Sequence, residues 1–237
     1  MADAWAILHG EIRALGIAID AHFEERARRY LGELRRWSRV SRLTGYRSEG
    51  DQVRHLLLDS LLMLAVLPDP ASPLLDIGTG SGAPGLVLQL ARPGWAVTLI
   101  EANRRRANFL RQVVRELALE ALTVREGRAE ALAEADVALA GAFRVVTMRA
   151  VASPPDAVAL ARPFLAPEGR LVLPVHPGTA MAHGVPRVVR LRCGGPLSRE
   201  RSFLIIPADE MARGVSRGTR GPGGANPGGG ESEGRGR

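Results

Sequence analysis

The residues best able to do chemistry stand in one stretch, Leu74-Leu-Asp-Ile-Gly-Thr-Gly-Ser-Gly-Ala-Pro-Gly85. An apolar run ends in Asp76 and is followed by Gly78-x-Gly80-x-Gly82 and then by Pro84, a residue suited to the first turn of a helix. Glycines there let the chain turn tightly and let its backbone approach a ligand. The stretch also satisfies Gly-x-Gly-x-x-Ala through Ala83, so a dinucleotide is one possible ligand. Asp76 argues otherwise, because a carboxylate two residues before the first glycine repels a pyrophosphate and suits an ammonium or the surroundings of a sulfonium. Glu101 closes the next apolar run, where a carboxylate can accept both hydroxyls of a ribose. A nicotinamide dinucleotide and S-adenosylmethionine share that ribose, but only the second lacks phosphate, so the two acids together suit S-adenosylmethionine. Arg149 closes a later run, Thr147-Met-Arg-Ala-Val151, a position that can hold phosphate, a guanine edge or the cofactor.

The candidate acceptors of a methyl group make different demands. Pyrimidine C5 needs a cysteine nucleophile, and the single cysteine, Cys193, falls late in the chain, far from these strand ends. Exocyclic amines are commonly served by an Asn/Asp-Pro-Pro-aromatic loop. Ser153-Pro-Pro-Asp156 lacks the aromatic, and its prolines read as a helix start. A ring nitrogen such as guanine N7 exposes its lone pair and needs no general base, which fits a chain with no obvious base at this place.

These residues need a scaffold. From Leu74 onward short apolar runs alternate with helical segments: strands over 74–78, 96–101, 122–126, 144–149, 170–175, 187–192 and 203–207, and helices starting near Pro84, Arg104, Ala129 and Pro155. The alternation predicts an α/β fold with a doubly wound, mainly parallel seven-stranded sheet. The link Cys193–Ser198 is too short for a helix and predicts an antiparallel hairpin at the edge. Residues 1–70 read as a helical extension, with Phe23, Ala27, Tyr30, Leu31, Leu34 and Trp37 on one helix face and a second helix over 51–67. The domain proper spans 71–212, and the Gly/Arg-rich tail 213–237 has no hydrophobic period and is expected to be disordered.

Composition narrows the partners. The formal charge is +7, and all 32 basic residues are arginine, which excludes a lysine base or Schiff base and favours an anionic partner. One cysteine excludes an internal disulfide framework and a cysteine zinc cluster. No apolar stretch is long enough for a membrane helix and no secretory signal is evident, so a cytoplasmic protein without membrane or metal is expected. Arg26, Arg28, Arg29, Arg35, Arg36 and Arg39, with the run Arg104–Arg106, are available for phosphate.

The chain resembles the RsmG (GidB) family of bacterial 16S rRNA guanine-N7 methyltransferases. The resemblance covers about residues 15–207. It rests on Trp37 with Leu43-Thr44, Arg54-His55…Asp59-Ser60, the Asp76–Gly85 stretch, Glu101 with Arg105-Arg106…Phe109-Leu110, Gly127-Arg-Ala-Glu130, Arg149-Ala150 and Glu200-Arg201. It implies a Rossmann-like class I methyltransferase that uses S-adenosyl-L-methionine, acts on 16S rRNA or the 30S particle, and is a monomer. By the same resemblance Gly78, Gly80 and Ala83 line the cofactor, Glu101 holds its ribose, and Ala129 and Glu130 sit by its adenine. Arg149 stands at the catalytic junction between cofactor and substrate. His55 and Asp59 belong to a segment closing over the site and, with Arg105 and Arg106, face RNA. The chain departs from the family at Arg42, where asparagine is usual, in an extra leucine between His55 and Asp59, and in lacking the usual lysines near His176 and Pro207. The alternatives are a methyltransferase for another substrate, a nicotinamide-dependent oxidoreductase, and an RNA-binding module without activity.

Overall fold

The computed structural model describes residues 3–39, 41, 43–149, 153–176, 188–192 and 200–211. Seven strands form one sheet: β1 (Leu74–Ile77), β2 (Val97–Glu101), β3 (Leu122–Glu126), β4 (Phe143–Met148), β5 (Leu165–Val175), β6 (Val188–Arg192) and β7 (Glu200–Pro207). Their order is β3-β2-β1-β4-β5-β7-β6, parallel through β5, with β7 antiparallel between β5 and β6. The chain winds outward from β1 in one direction, returns, and continues from β4 in the other. The strand order therefore reverses between β1 and β4, and a crevice opens at their carboxyl ends.

Helices α5 (Gly85–Ala91), α6 (Arg104–Glu116), α7 (Ala129–Ala135) and α8 (Pro154–Ala161) start close to the expected residues. Asn103 caps α6 by accepting the N–H groups of Arg105 and Arg106, and Pro154 occupies the first turn of α8. Strand side chains alternate between two cores. Leu74, Leu99, Val145 and Val172 pack on one face, and Leu75, Ile77, Val146 and Leu171 on the other with α7 and α8. The expected 170–175 strand extends back to Leu165, and the register slips between Phe143 and Val145 on its neighbour β4.

The amino-terminal helices belong to the first core. Helix α1 (Ala4–Ala14) contributes Trp5, Leu8 and Ile12, and α2 (Phe23–Ser38) contributes Phe23, Tyr30, Leu31 and Leu34, all packed with Leu86 and Phe109. Trp37 lies edge-on to Phe109 with ring centroids 5.9 Å apart. The second expected helix is a composite. Short α3 (Glu49–Gln52) runs into a π-helical turn (Val53–Leu58), then α4 (Asp59–Leu61) and a 3₁₀ turn (Leu62–Ala65). The wide turn spans the leucine-rich segment Leu56–Leu58, where the Asp59 N–H donates to the Arg54 carbonyl five residues back. A π turn is how a helix absorbs one extra residue without losing its core face, and Leu56, Leu57 and Leu58 all stay buried. Cys193, the link 193–198, Arg42, Ala150 and the tail 213–237 lie outside the described residues.

Candidate active site

Three glycines of the loop after β1 have left-handed backbone, Gly78 at φ 66°, Gly80 at 62° and Gly82 at 104°. A side chain on Gly80 would meet only the Gly78 carbonyl at 4.0 Å, so the loop presents bare backbone to open space. The Gly80 N–H donates to Glu101 Oε2 at 2.8 Å, and the Asn103 N–H donates to Glu101 Oε1 at 2.8 Å. Glu101 is thereby locked at the end of β2 and only 5% exposed. Each carboxylate oxygen has a second lone pair, so the group can still accept two ribose hydroxyls.

Asp76 takes a different place from the one its sequence position suggests. It is fully buried, and its Oδ2 accepts the Gly85 N–H at 2.8 Å, tying β1 to the start of α5. Its Oδ1 and the Thr79 hydroxyl are buried without partners of good hydrogen-bond geometry. Burial is the main cause that pushes the carboxyl up to about 6; the Thr79 hydroxyl, the Gly85 N–H and the Arg149 guanidinium hold it down, and Glu101 raises it. Asp76 therefore serves as a buried fastening between β1 and the start of α5.

The raised carboxyl has a consequence for stability. Between the ordinary aspartate value of 3.8 and about 6, the folded chain keeps a proton the unfolded chain has lost, so stability falls as pH rises through that window. The loss is roughly 3 kcal/mol and persists at higher pH. Asp76→Asn keeps an oxygen for the Gly85 N–H. Its melting temperature relative to wild type is expected to rise from pH 4 to pH 6.5 and then level. An offset that stays constant over that range would refute this.

In the sequence Tyr30 reads only as an apolar face residue. It is fully buried, and its hydroxyl donates to the Ser81 carbonyl at 2.8 Å, which braces the glycine loop from α2. Burial pushes its phenol up to about 12, so it stays a donor. Nothing in the sequence separates this tyrosine from a packing residue.

Arg149 follows β4 and donates from Nη1 to the His55 carbonyl at 2.8 Å. It thus ties the π turn to the carboxyl end of the sheet, and its charge reaches both Asp76 and Tyr30. His55 Nδ1 lies 3.8 Å from Asp59 Oδ2. Asp59 Oδ1 accepts from Arg201 Nε at 2.9 Å and Nη2 at 2.8 Å. Arg201, in β7, was legible only as part of a motif, and its pairing across the sheet edge could not be read from spacing. Tyr46 stacks on His55, with ring centroids 4.7 Å apart and planes 19° apart.

On the other side of the crevice, the Gly127 N–H donates to the Glu101 carbonyl. Ala129 is buried at the start of α7, whereas Glu130 is exposed and 3.9 Å from Arg128. Arg104 and Arg105 are exposed and Arg106 half-buried in the first turn of α6, and none forms an ion pair among the described residues. Cations at that end of a helix oppose its dipole, and a bound anion relieves the conflict. The α2 arginines are otherwise engaged. Arg26 pairs with Asp20, Arg28 with Glu24 and Glu49, Arg35 with Glu49, and Arg36 with Glu33. Arg29 donates to the Glu116 carbonyl. The phosphate-ready charge thus concentrates at α6 rather than along α2. Among the described residues no helix is long and apolar enough to cross a membrane, and no group of side chains forms a metal site.

A doubly wound sheet with this strand order, a bare glycine loop after β1 and an acid fixed at the end of β2 together define a Rossmann-like methyltransferase. A candidate O-methyltransferase from Klebsiella pneumoniae has the same fold, with a TM-score of 0.52 at 17% identity over 84% of this chain and 95% of that one. Residues 23–174 match the GidB family model, described as rRNA small subunit methyltransferase G, and the chain belongs to that family. The Halorhodospira halophila ribosomal RNA small subunit methyltransferase G is 41% identical over 70% of this chain and 75% of its own length. The Ralstonia nicotianae protein of the same name is 35% identical over 87% of this chain and 96% of its own.

Proposed function

We propose that the protein transfers a methyl group to N7 of a guanine in 16S rRNA, free or in the 30S particle, using S-adenosyl-L-methionine. The carrying observation is Glu101, held between two backbone N–H groups beside the open face of Gly80. That arrangement fits a ribose next to a ligand without phosphate. Bound S-adenosyl-L-methionine would supply an electrophilic methyl on its sulfonium; as the guanine N7 lone pair formed the new N–C bond, the S–C bond would break and its electron pair would return to sulfur, so the protein's task is alignment. Gly78, Gly80 and Ala83 line the amino-acid and nucleoside side, Glu101 takes the ribose, and Ala129 and Glu130 flank the base of the cofactor. Arg149 ties the π turn to the carboxyl end of β4 and stands at the junction between cofactor and substrate. His55, Asp59, Arg105 and Arg106 meet RNA. Residues 1–70 cover the site of the 71–212 domain, the tail 213–237 adds basic charge, and the protein works as a cytoplasmic monomer.

The test is methyl transfer from radiolabelled S-adenosylmethionine to unmodified 16S rRNA and 30S particles, with borohydride/aniline cleavage reporting N7-methylguanosine. Label at one guanine is expected, falling at least tenfold in Arg149→Ala. Label without N7 cleavage would sink the N7 assignment. No label, with S-adenosylhomocysteine still raising the melting temperature, would move the substrate elsewhere. A second prediction concerns charge: Arg105→Gln with Arg106→Gln is expected to lower the salt dependence of rRNA binding by about one to two counterions. An unchanged slope would remove these arginines from the interface.

A further inference from the structure

We propose that Tyr46 is the stacking platform for the target guanine, which rests on the rRNA reading above. Only 4% of the chain is aromatic, and among the described residues Tyr46 is the one exposed large aromatic, at 38%. Its surroundings show that it is placed there. The Tyr46 N–H donates to Thr44 Oγ1 at 3.2 Å, and its carbonyl accepts from the side chain of Gln52 at 3.0 Å. Gln52 is itself buried, so the loop carrying the ring is anchored to the helical layer. One face of the ring lies on the His55 imidazole. The His55 carbonyl is held by Arg149 at the carboxyl end of β4, which sets the Tyr46–His55 stack beside the crevice. The tyrosine hydroxyl forms no hydrogen bond among the described residues, so the ring rather than the oxygen is the useful part.

The chemistry that matches this arrangement is an unpaired nucleobase. Sequence-specific RNA recognition uses splayed bases stacked on aromatic side chains, and N7 methylation needs a guanine whose ring edge is accessible. A base laid on the side of the Tyr46 ring away from His55 would continue that stack by one more ring. Exposed Arg47, next in the chain and without an ion pair among the described residues, supplies charge for the adjoining phosphate.

The experiment compares full-length wild type, Tyr46→Leu and Tyr46→Phe. Leucine keeps apolar bulk and removes the π face, and phenylalanine keeps the face and removes the hydroxyl. Tyr46→Leu is expected to raise KM for unmodified 16S rRNA about ten- to a hundredfold, the span that base–aromatic stacking covers. The salt dependence of binding should stay as in wild type, because stacking releases no counterions. The S-adenosylhomocysteine melting shift should be unchanged, and Tyr46→Phe should stay within twofold of wild type. A Tyr46→Leu enzyme within twofold of wild type on rRNA would overturn the proposal, as would one that also loses the melting shift, since the ring would then be structural. If wild type itself methylates no rRNA, the functional reading fails and this proposal falls with it, a result separable from the others because wild type alone reports it.

Discussion

Replacing Glu101 with alanine is expected to lower kcat/KM for methyl transfer at least 100-fold and to abolish the melting shift given by S-adenosylhomocysteine. The same change should leave rRNA affinity within about twofold. The carboxylate does two things in the structure. It accepts the Gly80 and Asn103 N–H groups, each at 2.8 Å, and so holds the glycine loop against the end of β2. In the proposed function its remaining lone pairs are the acceptors for ribose. Hydrogen bonds to a charged group contribute roughly 1.5–3 kcal/mol each, so losing two on the ligand side alone reaches about 100-fold. Glutamine is a sharper probe. Its amide has one accepting oxygen and one donating nitrogen, so it must set a donor against one of two backbone N–H groups. Glu101→Gln should therefore retain little of the cofactor affinity despite equal size. Calorimetric titration with S-adenosylhomocysteine measures this directly, and an affinity within threefold of wild type in either variant would remove Glu101 from the cofactor site.

The largest effect on stability is expected at Gly85. A methyl group there would lie 2.6 Å from Leu99 Cδ2, 2.7 Å from Asp76 Cβ and 2.9 Å from Asp76 Oδ2. The Leu99 tip could rotate away. Asp76 Cβ cannot, because it is fixed to the β1 backbone between β2 and β4. Gly85→Ala must therefore push α5 off the sheet, lengthening the Gly85 N–H to Asp76 bond and shifting Leu86, Val87 and Leu88 in the buried core. Overpacking costs about 1–3 kcal/mol, and the hydrogen bond to a buried carboxyl adds about as much. A fall in melting temperature on the order of 10 °C follows for a chain of this size. Gly94→Ala is the control, with nothing within 4 Å of its methyl and a change of less than about 2 °C expected. Differential scanning calorimetry of the two variants decides the matter. Equal melting temperatures would mean that α5 can yield without loss.

Much of this was open to reading in the chain itself. Helix starts are marked locally, by the Asn103 cap at α6 and by proline in the first turn of α8. Strands end at Ile77, Glu101 and Met148 because apolar runs give way there to loop residues. Such signals are local, carried by residues close in sequence. So is the glycine loop, whose need for left-handed backbone is met only by glycine at Gly78, Gly80 and Gly82. The sequence thus determined the sheet and its parallel winding, the placing of the acid Glu101 after β2, and the family.

What tertiary structure decided lies in pairs far apart along the chain. Asp76 reads as a ligand-facing acid from its place before the glycines, yet folding turns it under the loop to hold Gly85. The arginines of α2 read as a phosphate-binding face, yet most close on acids brought within reach, whereas Arg104–Arg106 at the start of α6 form no ion pair among the described residues. Tyr30 is indistinguishable from its apolar neighbours until its hydroxyl meets Ser81. Arg201 meets Asp59 across 142 residues, and Arg149 meets the His55 carbonyl across 94. A polar side chain states in sequence only what bonds it can make. Which partner takes the bond is settled when hydrophobic burial fixes the backbone, because a charged group removed from water must then pair with whatever that packing has brought within reach.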